Sequence, residues 1–198
     1  VLDLCAAPGG KTTEIAELMG DRGWLIAADR HFGRLRRLRE HALRMGFTCI
    51  RPVQADGRRP FLPPWADRIL IDAPCTGTGV LARRSDARWH RQEADLEGLT
   101  ALQRALLEAA ARMLRPGGRL IYSTCSLEPE ENEEQIYAFL RNHPEFRLVP
   151  ARGKVPTPFV DAEGFYRVLP HVHAMDGAFG AILEKAPEAL ADPPPDFE

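Results

Sequence analysis

Two rhythms of apolar and polar positions run along this chain, and they interleave. "VLDLC" (1–5) is a short apolar run broken by one acid, which predicts a buried strand. A helix is expected over about 11–19, with Ile15 and Leu18 or Met19 on one face. "GWLIAAD" (23–29) predicts a second strand, ending at Asp29. Phe32, Leu35, Leu38, Ala42 and Met45 then recur at helical spacing, and Gly46 stops that helix. A third strand is expected over 49–56, weakened by Pro52, and a fourth over 67–72 after the proline-rich "RRPFLPPWA". Residues 73–97 show no period. Leu99, Leu102, Leu106, Ala110 and Met113 predict a helix over 98–114, ended by "RPGG". A fifth strand is expected over 119–125. "PEENEEQIYAFLRNH" predicts a helix, with the glutamates of 128–134 as charges at its start. Shorter strands are expected near 146–149, 165–169 and 178–184.

Strand and helix alternating in this way imply an α/β fold with a mostly parallel central sheet. The last two strands are close together across "HAMDG", so an antiparallel hairpin is expected at one edge. Residues 1–185 read as one domain. The last thirteen, "APEALADPPPDFE", read as a disordered tail.

Composition narrows the class. Hydrophobic residues make up 44% and charged residues 27% of 198, as in soluble globular proteins. No apolar run approaches the length of a membrane span. The four cysteines, at 5, 49, 75 and 125, include no C-x-x-C pair, so a metal site has no spacing support. A reducing cytoplasm is the simplest setting for them. The net charge of -2 argues against a wholly electrostatic nucleic-acid binder. The charge is uneven, however. Six arginines stand against Glu40 between Arg30 and Arg44, and "RRSDARWHR" carries four against Asp86. In the second stretch Arg83, Arg84, Arg88 and Trp89 are RNA-binding candidates, since arginine suits phosphate and tryptophan suits base stacking. The chain starts at Val1, inside a strand. With so few basic patches, further RNA-binding sequence is expected upstream.

"APGGKTT" looks at first like a phosphate-binding loop. A Walker loop needs G-x-x-x-x-G-K-[ST], and its first glycine would fall at position 5, which is Cys5. The G-x-G-x-x-G of dinucleotide enzymes is also missing. Yet Asp29 follows this loop by about 20 residues, the distance at which an acid grips a ribose diol. A nucleoside cofactor without pyrophosphate fits better, and S-adenosylmethionine is such a molecule. Its amino-acid end would lie on Ala6, Ala7, Pro8, Gly9 and Gly10, its ribose on Asp29 and its adenine beside Asp56. Ligands of open α/β sheets bind beyond the carboxyl ends of the strands. Cys5, Asp29, Asp56, Asp72 with Cys75, and Cys125 all fall at such ends.

"LDLCAAPGGKT", "DRILIDAPCTGTG" and "YSTCSLEPEENE" together resemble the RNA cytosine carbon-5 methyltransferases of the Sun/Fmu family, foremost the members acting on bacterial small-subunit ribosomal RNA. The likeness covers residues 1–185, and "LPHVHAMDGAFGAILEK" is similar to the family's closing segment. One departure is "RRSDARW", where the family has a proline before the aspartate and a longer spacing. The resemblance implies an S-adenosylmethionine-dependent fold of the Rossmann-like kind and RNA as partner, with no metal and no membrane. It implies that Ala7, Pro8, Gly9, Gly10 and Lys11 border the cofactor, that Asp29 holds the ribose, that Arg34 braces the site and that Asp56 faces the adenine. Asp72 would sit where methyl donor and base meet, carrying a proton when the base is bound. Cys125 would be the nucleophile and Cys75 a second cysteine acting late. Lys11 is the expected cation near Cys125.

Two other readings compete. A DNA cytosine methyltransferase would use Cys75 itself as nucleophile; the cysteine of "STC" favours RNA. A non-catalytic RNA-binding or ribosome-assembly factor would keep the fold, but intact Cys75, Cys125 and Asp72 argue for chemistry. Cys5 and Cys49 read as small apolar core residues. His171 and His173 read as loop or surface residues.

Overall fold

The computed structural model describes residues 1–83, 89 and 92–187. Eight strands form one sheet in the order β3-β2-β1-β4-β5-β8-β6, with β7 also pairing to β8. The strands are β1 (Leu2–Asp3), β2 (Leu25–Asp29), β3 (Ile50–Gln54), β4 (Ala66–Asp72), β5 (Leu114–Thr124), β6 (Phe146–Val149), β7 (Tyr166–Val168) and β8 (Ala178–Lys185). β1 to β5 are mutually parallel, while β8 runs antiparallel to β5, β6 and β7. The expected α/β class and antiparallel edge are therefore both present. That edge is wider than a hairpin. β8 lies inside the sheet, with β5 on one side and β6 and β7 sharing the other.

Helices cover both faces. Along β2, Leu25 and Ala27 face one core and Ile26 and Ala28 the other, the period of two that a doubly covered strand requires. α1 (Gly10–Leu18) and α2 (Phe32–Arg44) pack on the first face through Ala16, Leu38 and Ala42. α3 (Glu93–Met113) and α4 (Glu133–Asn142) pack on the second through Leu106, Leu107, Ile136 and Phe139. Each buried leucine contributes about 2 kcal/mol from apolar area removed from water.

The boundaries differ from expectation in two places. α3 begins at Glu93, not at 98, because Gln92 and Asp95 form a reciprocal capping box. β5 begins at Leu114, so "RPGG" belongs to the strand; Ala66 pairs with Leu114 and Arg68 with Arg119, an irregularity that absorbs the extra residues.

The order reverses direction at β1, with β2 on one side and β4 on the other. Beyond β1 the chain splits the sheet: Leu4 N–H donates to Leu70 O and Ala6 N–H to Ala28 O. A crevice opens there, where ligands of such sheets bind.

Candidate active site

Cys75 follows β4 by three residues and Cys125 directly follows β5. Because β4 and β5 are parallel and pair Asp72 with Ser123, both cysteines arrive at the same end of the sheet. Their Sγ atoms are 3.4 Å apart, and Cys125 N–H points at Cys75 Sγ, also at 3.4 Å. A disulfide would hold the sulfurs at about 2.05 Å, so these are two thiols in contact. The hydrogen bond to Cys125 pushes the Cys75 thiol upward, and burial adds to the effect. Cys75 is thereby held toward its protonated form.

The surrounding backbone is tightly tied. Gly79 N–H donates to Cys125 O at 2.9 Å, and Gly177 N–H donates to Gly79 O at 2.7 Å. A Cβ on Gly79 would lie 2.7 Å from Cys125 O and 2.8 Å from Gly177 Cα. Only glycine permits that approach. On the other side, Glu131 is fully buried and its carboxylate accepts from Thr76 N–H, the Thr76 hydroxyl and Gln103 Nε2. Reading every glutamate of 128–134 as a helix-start charge is corrected here. Glu133 and Glu134 do occupy the first turn of α4, but Glu131 lies inside. Thr76, Gln103, Ser123 and Asn132 escaped the sequence reading. The available signal was polar residues adjoining each cysteine motif.

Asp72 ends β4. Lys11 Nζ, from the first turn of α1, lies 2.7 Å from Asp72 Oδ2, and Ser123 Oγ donates to Oδ1 at 2.9 Å. The sequence set Lys11 beside Cys125; the structure puts its ammonium on Asp72. Two cavities meet at this ion pair. One, of about 480 Å³, includes Lys11, Asp72, Ser123, Cys125, Tyr166 and Phe179 in its wall. The other, of about 470 Å³, is lined by Asp3, Cys5, the loop from Ala6 to Gly10, Lys11, Glu14 and Asp72. Lys11 and Asp72 belong to both walls. Gly9 has a φ of 113°, and a Cβ there would lie 2.9 Å from Leu38 Cγ, so the loop rests directly on α2.

Asp3, which the sequence reading passed over, borders the second cavity. Burial pushes its carboxyl up to about 6, although the Thr12 hydroxyl donates to Oδ2 at 2.7 Å. Its other oxygen, Oδ1, is buried and has no hydrogen-bond partner among the described residues. Cys5 borders the same cavity and packs against the core, and burial pushes its thiol up to about 12. Cys49 is a core residue, as expected.

Other expected site residues lie outside the two cavity walls. Asp29 is buried at the end of β2 and accepts from His31 N–H at 2.8 Å and Ala7 N–H at 3.4 Å, so it braces the glycine loop. Arg34 is exposed on α2. Asp56 pairs with Arg58 at 2.6 Å, and Arg58's hydrogen bond holds its carboxyl down at about 2. Arg83 pairs with Asp176 at 2.8 Å, and Trp89 is 82% exposed. Arg84 and Arg88 lie outside the described residues. The same holds for 188–198 of the expected tail. His173 accepts from Leu169 N–H at 2.9 Å, closing its own short turn. No group of three His, Cys, Asp or Glu able to hold a metal occurs among the described residues. None of the described helices is long and apolar enough to cross a membrane.

Known proteins resemble this arrangement. The family described as 16S rRNA methyltransferase RsmB/F matches residues 1–184. A relative from Synechocystis sp., described as a probable ribosomal RNA small subunit methyltransferase B, is 45% identical over 191 residues, which are 94% of this chain and 43% of the relative. One from Bacillus subtilis with the same description is 38% identical over 192 residues, 93% of this chain and 43% of the relative. Among solved structures, NSun6 from Pyrococcus horikoshii with SFG is 36% identical with a TM-score of 0.82, over 94% of this chain and 48% of that one. The chain spans less than half the length of each. The fold is thus the Rossmann-like one of S-adenosylmethionine-dependent methyltransferases.

Proposed function

The chain belongs to the 16S rRNA methyltransferase RsmB/F family, and on that premise we propose that it methylates carbon-5 of a cytosine in ribosomal RNA, in the cytoplasm. The observation that carries this reading is the junction of two cavities at Lys11 and Asp72, with Cys125 in the wall of one and the glycine loop lining the other. A methyl donor and a base held in adjoining chambers would meet at that ion pair.

The second cavity fits S-adenosylmethionine. Asp3 Oδ1, which has no hydrogen-bond partner among the described residues, suits the ammonium of its amino-acid end, and the backbone of Ala6 to Gly10 lies against the same space. The relative solved with SFG, an analogue of that cofactor, points the same way. Asp29 and Asp56 are assigned to the ribose and adenine, and Arg34 to bracing that end. When bound, the cofactor supplies a methyl group on a sulfonium.

Carbon-5 of cytosine is a poor nucleophile. The Cys125 thiolate adds to carbon-6, and the electron pair of the 5,6 bond moves onto carbon-5 and the ring. Asp72, carrying a proton when the base is bound, hydrogen-bonds the ring nitrogen as charge develops there. Carbon-5 would then take the methyl group, the electron pair of the broken carbon–sulfur bond staying on the donor's sulfur. Its proton is then lost to a base, the Cys125–carbon-6 bond breaks, and the electron pair restores the double bond. Cys75, in contact with Cys125, is assigned to this release step. Arg83, Arg84, Arg88 and Trp89 are assigned to RNA contact.

The test uses the full-length protein with small-subunit ribosomal RNA on a denaturing gel. Cys125→Ala is expected to give neither methylated product nor adduct. Cys75→Ala is expected to accumulate a protein–RNA species, and Cys75→Ala/Cys125→Ala to lose it again. An adduct in Cys125→Ala alone would exchange the two roles, as in a DNA-type enzyme. Wild-type protein that binds the RNA without methylating it would favour an assembly factor.

A further inference from the structure

Glu131 and Asn132 are neighbours on the turn before α4, yet they grip different loops. Glu131 accepts from Thr76 N–H at 3.0 Å and from the Thr76 hydroxyl at 2.5 Å. Gln103 Nε2 bridges Glu131 Oε1 and Pro74 O, each at 2.9 Å. Pro74 and Thr76 are the two residues flanking Cys75. Asn132 Oδ1 accepts from the Thr124 hydroxyl at 2.6 Å, and its Nδ2 donates to Ser126 O at 3.0 Å. Thr124 and Ser126 are the two residues flanking Cys125. The Thr76 and Ser126 hydroxyls close the frame at 3.0 Å, and Tyr122 anchors the turn from below, its hydroxyl donating to Glu131 O at 2.7 Å.

The energetics ask for a reason. Glu131 is fully buried, as is Asn132 to within 1%. The described partners of the carboxyl group are neutral donors, and burying so polar a group costs free energy that an apolar side chain would not. The compensation is geometric: one dipeptide fixes both sides of both cysteines.

We propose that Glu131 and Asn132 are a positioning pair which sets the separation of the Cys75 and Cys125 thiols. The catalytic consequence rests on the proposed function; the clamp itself does not. A base tethered to Cys125 must present its carbon-5 to the release machinery without the loops drifting apart, and a misplacement of about 1 Å costs on the order of a hundredfold in rate.

The first experiment needs no RNA. Diamide oxidises two adjacent thiols to a disulfide and takes up their two hydrogens. The rate of the Cys75–Cys125 cross-link, followed by peptide mass mapping in the full-length protein, therefore reads the separation of the sulfurs. Glu131→Gln and Asn132→Ala are expected to slow it by about tenfold or more, while Glu134→Gln on the exposed face of α4 leaves it unchanged. Thr76→Val cuts the same frame from its other end and should slow it too, whereas Thr76→Ser should not. Cross-linking at the parent rate in the folded variants overturns the clamp. With RNA, Glu131→Gln is expected to accumulate the tethered species with an unchanged KM for RNA. Release at the parent rate would overturn its part in turnover, whatever the first experiment gives.

Discussion

Lys11 Nζ lies 2.7 Å from Asp72 Oδ2 and so joins the first turn of α1 to the end of β4 across the crevice. The pair is half exposed, at 54% and 36% of side-chain surface. Such a pair contributes at most about 1 kcal/mol to stability. Its place on the wall of both cavities gives it a different weight. Lys11→Met is expected to move the melting temperature by no more than a few degrees, yet to lower methyl transfer by about a hundredfold or more. Asp72→Asn should act similarly. Thermal melts beside initial rates check this; activity that falls only as far as stability does would remove the pair from the chemistry.

Gly79 bridges two segments about fifty residues apart, through Cys125 O and Gly177 N. Both atoms nearest a new Cβ are backbone, at 2.7 and 2.8 Å, so Gly79→Ala must displace one segment. The expected cost is about 1–3 kcal/mol of stability, with a larger loss in the addition step because Cys125 moves. Gly10→Ala, whose Cβ meets nothing within 4 Å, is the contrasting case for stability. Equal melting temperatures for Gly79→Ala and the parent would contradict the close approach.

These contacts explain which parts of the protein were legible in the sequence. The periodicity of Leu35, Leu38 and Ala42 placed α2, because a helix buries one stripe. Strand ends placed Asp72, Cys75 and Cys125 on one rim, because parallel strands all deliver their carboxyl ends to the same side. The seating of β8 between β5 and β6 was not legible, since strand order leaves no trace in local pattern. Glu131 was read as a helix-start charge for a similar reason. Its partner Thr76 is 55 residues away, and nothing near Glu131 in the chain shows that the fold closes over it. Asp3 looked like one polar interruption in a strand; its meaning comes from Thr12 and the cavity beyond.

His143 ties α4 to α3 and makes the outer shell sensitive to pH. Burial opposes its charge, but hydrogen bonds from its ring to Glu108 and Glu145, at 3.0 and 3.1 Å, outweigh that and raise it above 6.5. A raised histidine binds its proton more tightly in the folded state. The contribution is full below the unfolded value of about 6.5 and is lost as pH rises through the folded value. His143→Gln should therefore destabilise the protein more at pH 5.5 than at pH 9. Urea midpoints at the two pH values measure this, and an equal difference at both would show that the stacking on Phe139, 4.3 Å between centroids, is all that matters.

Asp3 sets stability against binding. Burial raises its carboxyl from 3.8 to about 6, so between those values the folded protein keeps a proton that the unfolded chain has released. Stability then falls as pH climbs through that window, by about 3 kcal/mol for a shift of this size. Asp3→Asn has nearly the same shape and no proton to lose, and its amide oxygen can still accept from the Thr12 hydroxyl. The variant should match the parent near pH 4 and exceed it by up to that amount at pH 7.5, with no ligand present. Its amide nitrogen would replace an acceptor with a donor at the cavity wall, where the proposed cofactor brings an ammonium. S-adenosylmethionine should bind the variant at least about tenfold more weakly, the scale of one lost charge-assisted hydrogen bond. Denaturant titrations across pH, with calorimetry at pH 7.5, separate the two effects. Parallel stability curves for parent and variant would deny the buried charge, and unchanged affinity would move the amino-acid end of the cofactor away from Asp3.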